Sequence, residues 1–166
     1  MKVFVGILLF AGLVIIQSAV VSNMMLLQGT ADLVMLAMIA WALQERVQTA
    51  WLWWIIGGLF ASLASGLPFG VLLGAYGVVT GLALVLRRRV WKAPILAMLA
   101  TTFTGTVIVH VFSYLARLVT GANIPPMTAF ELITLPSILL NLLLAVPAYV
   151  LVRDLANWLY PKEIEV

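Results

Sequence analysis

The chain has no cysteine, so no disulfide framework, thiolate ligand or cysteine nucleophile is available to it. Charge is scarce as well: 9% of the residues are charged, where a soluble domain carries about 25%. There is one histidine, and the six carboxylates are scattered. The chain has no HExxH, no carboxylate pair one helical turn apart and no phosphate-cradling glycine loop, which leaves no readable constellation for metal, acid–base or nucleophilic catalysis. The expectation is a protein that is not an enzyme and uses no cofactor. What the chain has instead is apolar surface, with 64% hydrophobic residues and a mean hydropathy of +1.18. It reads as a single integral membrane domain over residues 1–166.

The polar breaks divide the chain into six apolar spans. Val3 to about Ser22 is the first; its charge order, Lys2 before an apolar run, is that of a signal peptide, but the run is too long and no small-x-small cleavage site follows, so it is expected to stay uncleaved. Gln28-Gly29-Thr30-Ala31-Asp32 then interrupts the chain before Leu33–Leu43. About a dozen helical residues do not cross a hydrocarbon core of about 30 Å unaided. The second span is therefore short, with a broken lead-in in which Met24–Leu27 dips back into the membrane or covers the bundle's outer face. Trp51–Ser65, Phe69–Leu86, Ile95 to about Tyr114, with a helical extension to Leu118, and Phe130–Val152 are the remaining spans. Pro136 and Pro147 are expected to kink the last.

The basic residues are loop charges rather than a nucleic-acid surface. Lys2, Arg46, Arg87, Arg88, Arg89, Lys92, Arg153 and Lys162 fall on the side of the termini, against Arg117 alone near the other. That asymmetry puts both termini in the cytoplasm. The Arg87–Arg89 run with Lys92 reads as a topology determinant and a contact for anionic lipids. The six tryptophans, Trp41, Trp51, Trp53, Trp54, Trp91 and Trp158, are expected near the same inner interface.

The stretch Ile55–Tyr76 is the expected organising hairpin. Gly58, Ser62 and Gly66 recur every four residues, which makes one helix face nearly bare and open to close packing. Ser65-Gly66-Leu67-Pro68 breaks the helix, and Gly70, Gly74, Gly77 and Gly81 continue the small-residue theme. Among polar residues, Asp32 is expected to cap the second helix, with a pocket or partner facing Asp32 and Gln28 as the other reading. His110 has no second ligand nearby and reads as a neutral packing histidine. Thr101, Thr102, Thr104 and Thr106 are expected to bond carbonyls of the preceding turn, and Glu131, Asn141 and Asp154 to make helix-end or interhelical contacts.

Two regions carry a family resemblance. Ala31-Asp32-Leu33, followed by Gly58-Leu59-Phe60-Ala61-Ser62-Leu63-Ala64-Ser65-Gly66-Leu67-Pro68-Phe69-Gly70, is similar to a Pro-Asp-Leu motif and a G-L-x-x-D-x-x-S-G-x-P-x-G hairpin. LPSILLNLLLAVP, Leu135 to Pro147, is similar to a leucine-rich last helix with an asparagine and then a proline. Together they resemble the rod-shape-determining membrane protein MreD family of the bacterial inner membrane. Ala31 stands where that family has proline, and Ser62 where it has aspartate. The resemblance implies a scaffold of the cell-elongation machinery. Such a scaffold binds the single-span protein MreC and links MreB to a RodA-type polymerase and its class B penicillin-binding transpeptidase, which build peptidoglycan. The residues it points to as packing or partner contacts are Asp32, Gly58, Ser62, Gly66, Pro68, Gly70, Asn141 and Pro147. The alternative is a substrate-binding S component of an energy-coupling-factor vitamin transporter, whose six-span all-α fold the MreD family resembles.

Overall fold

A computed structural model of the protein describes residues 2–19, 26–45, 47, 49–89, 93–122 and 124–160. The described residues are mostly helical: α1 (Lys2–Ala19), α2 (Leu33–Ala42), α3 (Ala50–Ala64), α4 (Val71–Arg89), α5 (Pro94–Val119) and α6 (Pro126–Leu159), the last carrying a π-helical turn at Phe130–Thr134. Helices α4, α5 and α6 are each long and apolar enough to cross a membrane, and the other three are shorter apolar helices. The chain is thus a helical membrane protein. The expected end of the first span and Met24 lie outside the described residues, as do Arg46, Trp91, Lys92 and Lys162. The last helix begins four residues before the expected Phe130, because Pro126 occupies its first turn, where a missing N–H costs nothing.

The middle of the molecule is α2, not the α3–α4 hairpin. Every residue from Val34 to Ala42 is buried, and α2 packs on each of the other five helices. Its composition permits this place without dictating it: LVMLAMIAWA has no polar face, and a helix apolar all round is equally stable wrapped by protein or by lipid. Its 10 residues span about 15 Å at 1.5 Å each, so the helix alone does not cross a hydrocarbon core of about 30 Å. Around it runs an arc, α1 on α3, α3 on α4, α4 on α5 and α5 on α6. The arc's two end helices, α1 and α6, leave between them a groove of about 260 Å³, floored by Leu33 and Ala37 of α2.

The turns are set by local chemistry. Helix α5 ends in a Schellman motif: Gly121 at φ +90° donates its N–H to Leu118 O at 3.1 Å, and Ala122 N donates to Arg117 O at 2.9 Å. In the α3–α4 turn, Pro68 O accepts from Val71 N at 3.2 Å, and Gly70 takes φ +91°, a conformation in which a Cβ is strained. At the opposite end, Trp41 and Trp53 lie fully inside the protein, stacked with ring centroids 3.5 Å apart and planes 14° from parallel. These two tryptophans are core residues, and among the described residues Trp51 and Trp158 are exposed.

Candidate functional site: a polar junction around Asp32

Residues 26–32 approach α2 as an extended strap laid along α6. It starts in a tight turn closed by Leu26 N to Gly29 O at 3.1 Å and Gly29 N to Leu26 O at 2.9 Å, with Leu27 at φ 56°. From there alternate residues donate their backbone N–H to one face of α6. Gln28 N reaches Leu132 O at 3.0 Å, Thr30 N reaches Ser137 Oγ at 3.1 Å, and Asp32 N reaches Asn141 Oδ1 at 2.7 Å. The first of these exists because Pro136 has no N–H to give the carbonyl four residues before it. Pro136, expected as a kink, is buried and thereby provides the docking point for the strap. Gly29 lies so close to α6 that a Cβ would stand 2.7 Å from Ser137 N and from Pro136 Cβ. Only glycine fits there.

The strap delivers Asp32 to a junction of five helices. Its Oδ1 accepts from Met35 N at 3.0 Å, the N-cap bond expected from sequence. Its Oδ2 accepts from Tyr76 Oη of α4 at 2.6 Å, the short distance of an O–H···O bond to a carboxylate. Asn141 of α6 turns its carboxamide both ways, accepting from Asp32 N and donating Nδ2–H to Thr106 Oγ1 of α5 at 3.0 Å. Thr106 Oγ1 in turn donates to Thr102 O at 2.8 Å. Gln17 of α1 accepts from Val34 N at 3.3 Å, satisfying another free amide of the first turn of α2. Asp32 therefore both caps α2 and receives a side chain from another helix.

Asn141 and Asp32, drawn from opposite ends of the sequence, are thus direct partners. Tyr76 and Gln17 carry no local pattern that sequence could read. Asn141 did carry a signal, as a lone carboxamide in a leucine-rich span, since a buried polar group must find a partner there.

Comparison with protein-family models, curated proteins and solved structures finds no match to this chain.

The small-residue face of α3 is used at two of its three positions. A Cβ on Gly58 would lie 2.6 Å from Leu73 Cδ1 and 3.2 Å from Leu73 Cα, so the α4 backbone rests on that glycine. Ser62 Oγ accepts from Leu73 N at 3.2 Å, satisfying an amide in the first turn of α4. One turn further back, Trp54 Nε1 donates to Leu73 O at 2.8 Å, and its indole fills the place where Gly77 has no side chain. Gly66 departs from the expected seam: it is exposed, with no atom within 4 Å of an added Cβ, and the same holds for Gly74 and Gly81. The helix has already ended at Ser65, whose extended backbone turns the chain away from α4. Pro68 is exposed in the turn, and Pro147 lies on α6 at the edge of the α1–α6 groove.

Two further residues take places that sequence did not give them. His110, expected as a satisfied packing histidine, has its Nδ1 3.0 Å from Thr134 Oγ1 in the π turn, and its ring also lines a cavity of mixed polar and apolar residues. Arg87, expected to serve topology and lipid, donates from Nη1 to Gln44 O at 2.8 Å and to Val47 O at 2.9 Å. It thereby ties the loop after α2 to α4. Thr101 and Thr104 bond the carbonyls of Ala97 and Ala100 one turn back, at 2.7 and 2.8 Å, whereas the buried Thr102 hydroxyl, expected to do the same, makes no hydrogen bond among the described residues. Among the described residues no group of three or more His, Asp or Glu comes together.

Proposed function

We propose that this chain is a non-enzymatic scaffold of the MreD type in the bacterial inner membrane, with six spans and both termini in the cytoplasm. In that role it holds the single-span protein MreC and, with it, connects MreB to the RodA-type polymerase and its transpeptidase. The observation that carries the reading is the gap in the helix arc. Five helices surround α2 and the sixth place, between α1 and α6, is an apolar groove lined by Leu9, Leu13, Ala37, Leu144, Pro147 and Leu151. One transmembrane helix of a partner completes the ring. Van der Waals packing against such a groove is the main source of helix association in lipid, where no hydrophobic gain drives it. The polar junction supports the same role differently: Asp32 and Asn141 are occupied by hydrogen bonds that fix the bundle, which leaves its faces as the means of contact.

Because the natural chain has no cysteine, single cysteines report contact unambiguously. Leu13→Cys or Leu144→Cys, in cells carrying MreC with cysteines placed along its span, is expected to give a cross-linked pair at helical spacing. Phe103→Cys, exposed on α5 away from the groove, is expected to give none. Cross-linking at all three positions alike, or at Phe103 alone, refutes the groove as the partner site. A second reading, the S component of a vitamin transporter, is favoured by the polar cavity beside His110. Recovery of ATPase subunits with a bound vitamin, in place of MreC, decides for it.

A further inference from the structure

The cavity beside His110 lies at the end of the bundle that carries the 65–70 and 120–125 turns, far in sequence from the arginine run. Its volume is about 390 Å³, within the size of small-ligand sites, roughly 300–1,000 Å³. One wall is a single face of α5, where His110, Ser113, Tyr114 and Arg117 recur at helical spacing. The strap, through Gln28 and Thr30, and the π turn of α6, through Thr134, form the other walls. A π turn widens a helix and displaces its backbone, a device found often at binding sites.

The polar groups of this cavity divide into those already used and those left over. Tyr114 Oη donates to Ile124 O at 3.0 Å, and His110 Nδ1 is held by Thr134. Among the described residues the Arg117 guanidinium makes no ion pair, and neither the Ser113 hydroxyl nor the Gln28 carboxamide makes a side-chain hydrogen bond. Among the described residues no carboxylate lines the space; Glu131 is exposed on the π turn outside it. A cation, a free hydroxyl and a free carboxamide therefore face one volume that holds no negative charge of its own. Leu67, Val109 and Ile133 complete it as an apolar patch.

We propose that this cavity binds an organic phosphate, its anionic oxygens on Arg117 and Ser113 and its carbon portion against Leu67, Val109 and Ile133. The guanidinium fork matches phosphate oxygens two at a time, and the volume exceeds what a bare ion fills. Two sources carry this chemistry: the headgroup of an anionic phospholipid reaching in from the bilayer, or a soluble phosphate ester. The inference goes beyond the scaffold reading and does not depend on it.

The test is titration of the purified full chain, in uncharged detergent, with dioctanoyl phosphatidylglycerol and separately with glycerol 1-phosphate, bound ligand being counted by native mass spectrometry. Saturable binding of one probe is expected. Arg117→Gln should weaken it about tenfold or more, as the loss of a charge-assisted bond implies. Ser113→Ala should weaken it severalfold, and Arg153→Gln, in an exposed pair with Asp154, should leave it unchanged. Binding of the lipid probe alone identifies the headgroup as the source, and binding of the soluble ester identifies the free ligand. Arg117 is exposed in the last turn of α5, so the variant keeps the fold, which thermal unfolding checks. Failure of both probes to saturate, or equal binding by wild type and Arg117→Gln, overturns the proposal.

Discussion

Removing the Asp32 side chain tests the polar junction most directly. Asp32→Ala deletes the cap on Met35 N, worth about 1 kcal/mol. It also deletes the acceptor of Tyr76 Oη, an interhelical bond worth about 1.5 kcal/mol at the strong end of such bonds in membrane proteins. The expected loss is about 2.5 kcal/mol. Tyr76→Phe removes only the second contribution, about 1.5 kcal/mol. If the two side chains act through one bond, the double variant loses about 2.5 kcal/mol rather than the additive value of about 4, a coupling of about 1.5 kcal/mol. Equilibrium unfolding in mixed micelles, with sodium dodecyl sulfate as denaturant, measures all four corners of the cycle. Additive losses would show that Asp32 and Tyr76 do not share a bond, and the account of the junction would fall with them.

The two kinds of glycine in the central hairpin should separate cleanly. Gly58→Val drives a side chain into Leu73 and is expected to cost about 1–3 kcal/mol, whereas Gly66→Ala meets open space and should shift stability by less than about 0.5 kcal/mol; thermal unfolding in detergent compares them. Arg87→Gln gives up two carbonyl contacts and should lower stability by about 1–2 kcal/mol, while Arg89→Gln, exposed at the end of the same helix, should change it by less than about 0.5 kcal/mol. Equal effects of the two arginine variants in that measurement would mean that both serve only as loop charge.

Some of this protein was written in local sequence. The helical membrane class follows from composition, because apolar runs that long have no other stable state. Two helix ends follow from punctuation, Asp32 as the cap of α2 and Gly121 as the positive-φ stop of α5, whereas Pro126 starts α6 ahead of the expected Phe130 and Gly70 precedes α4 instead of lying within it. The close contact at Gly58 and Ser62 follows from small residues at helical spacing. The same spacing misled at Gly66, since it describes a face only as far as the helix continues. What the sequence could not assign is which apolar helix is surrounded. α2, the shortest of the six, is the centre because its neighbours close around it, and hydropathy alone does not distinguish a helix wrapped by protein from one wrapped by lipid. Tertiary structure likewise decided the partners of Asp32. Tyr76 stands 44 residues away in the chain, and Asn141, which accepts from the Asp32 amide, stands 109 away. Distances of that kind are set by how helices stack, not by any local propensity. In the same way Pro136 takes its place by freeing the Leu132 carbonyl for the strap, and Arg117 stands over a cavity only because α5, α6 and the strap meet there.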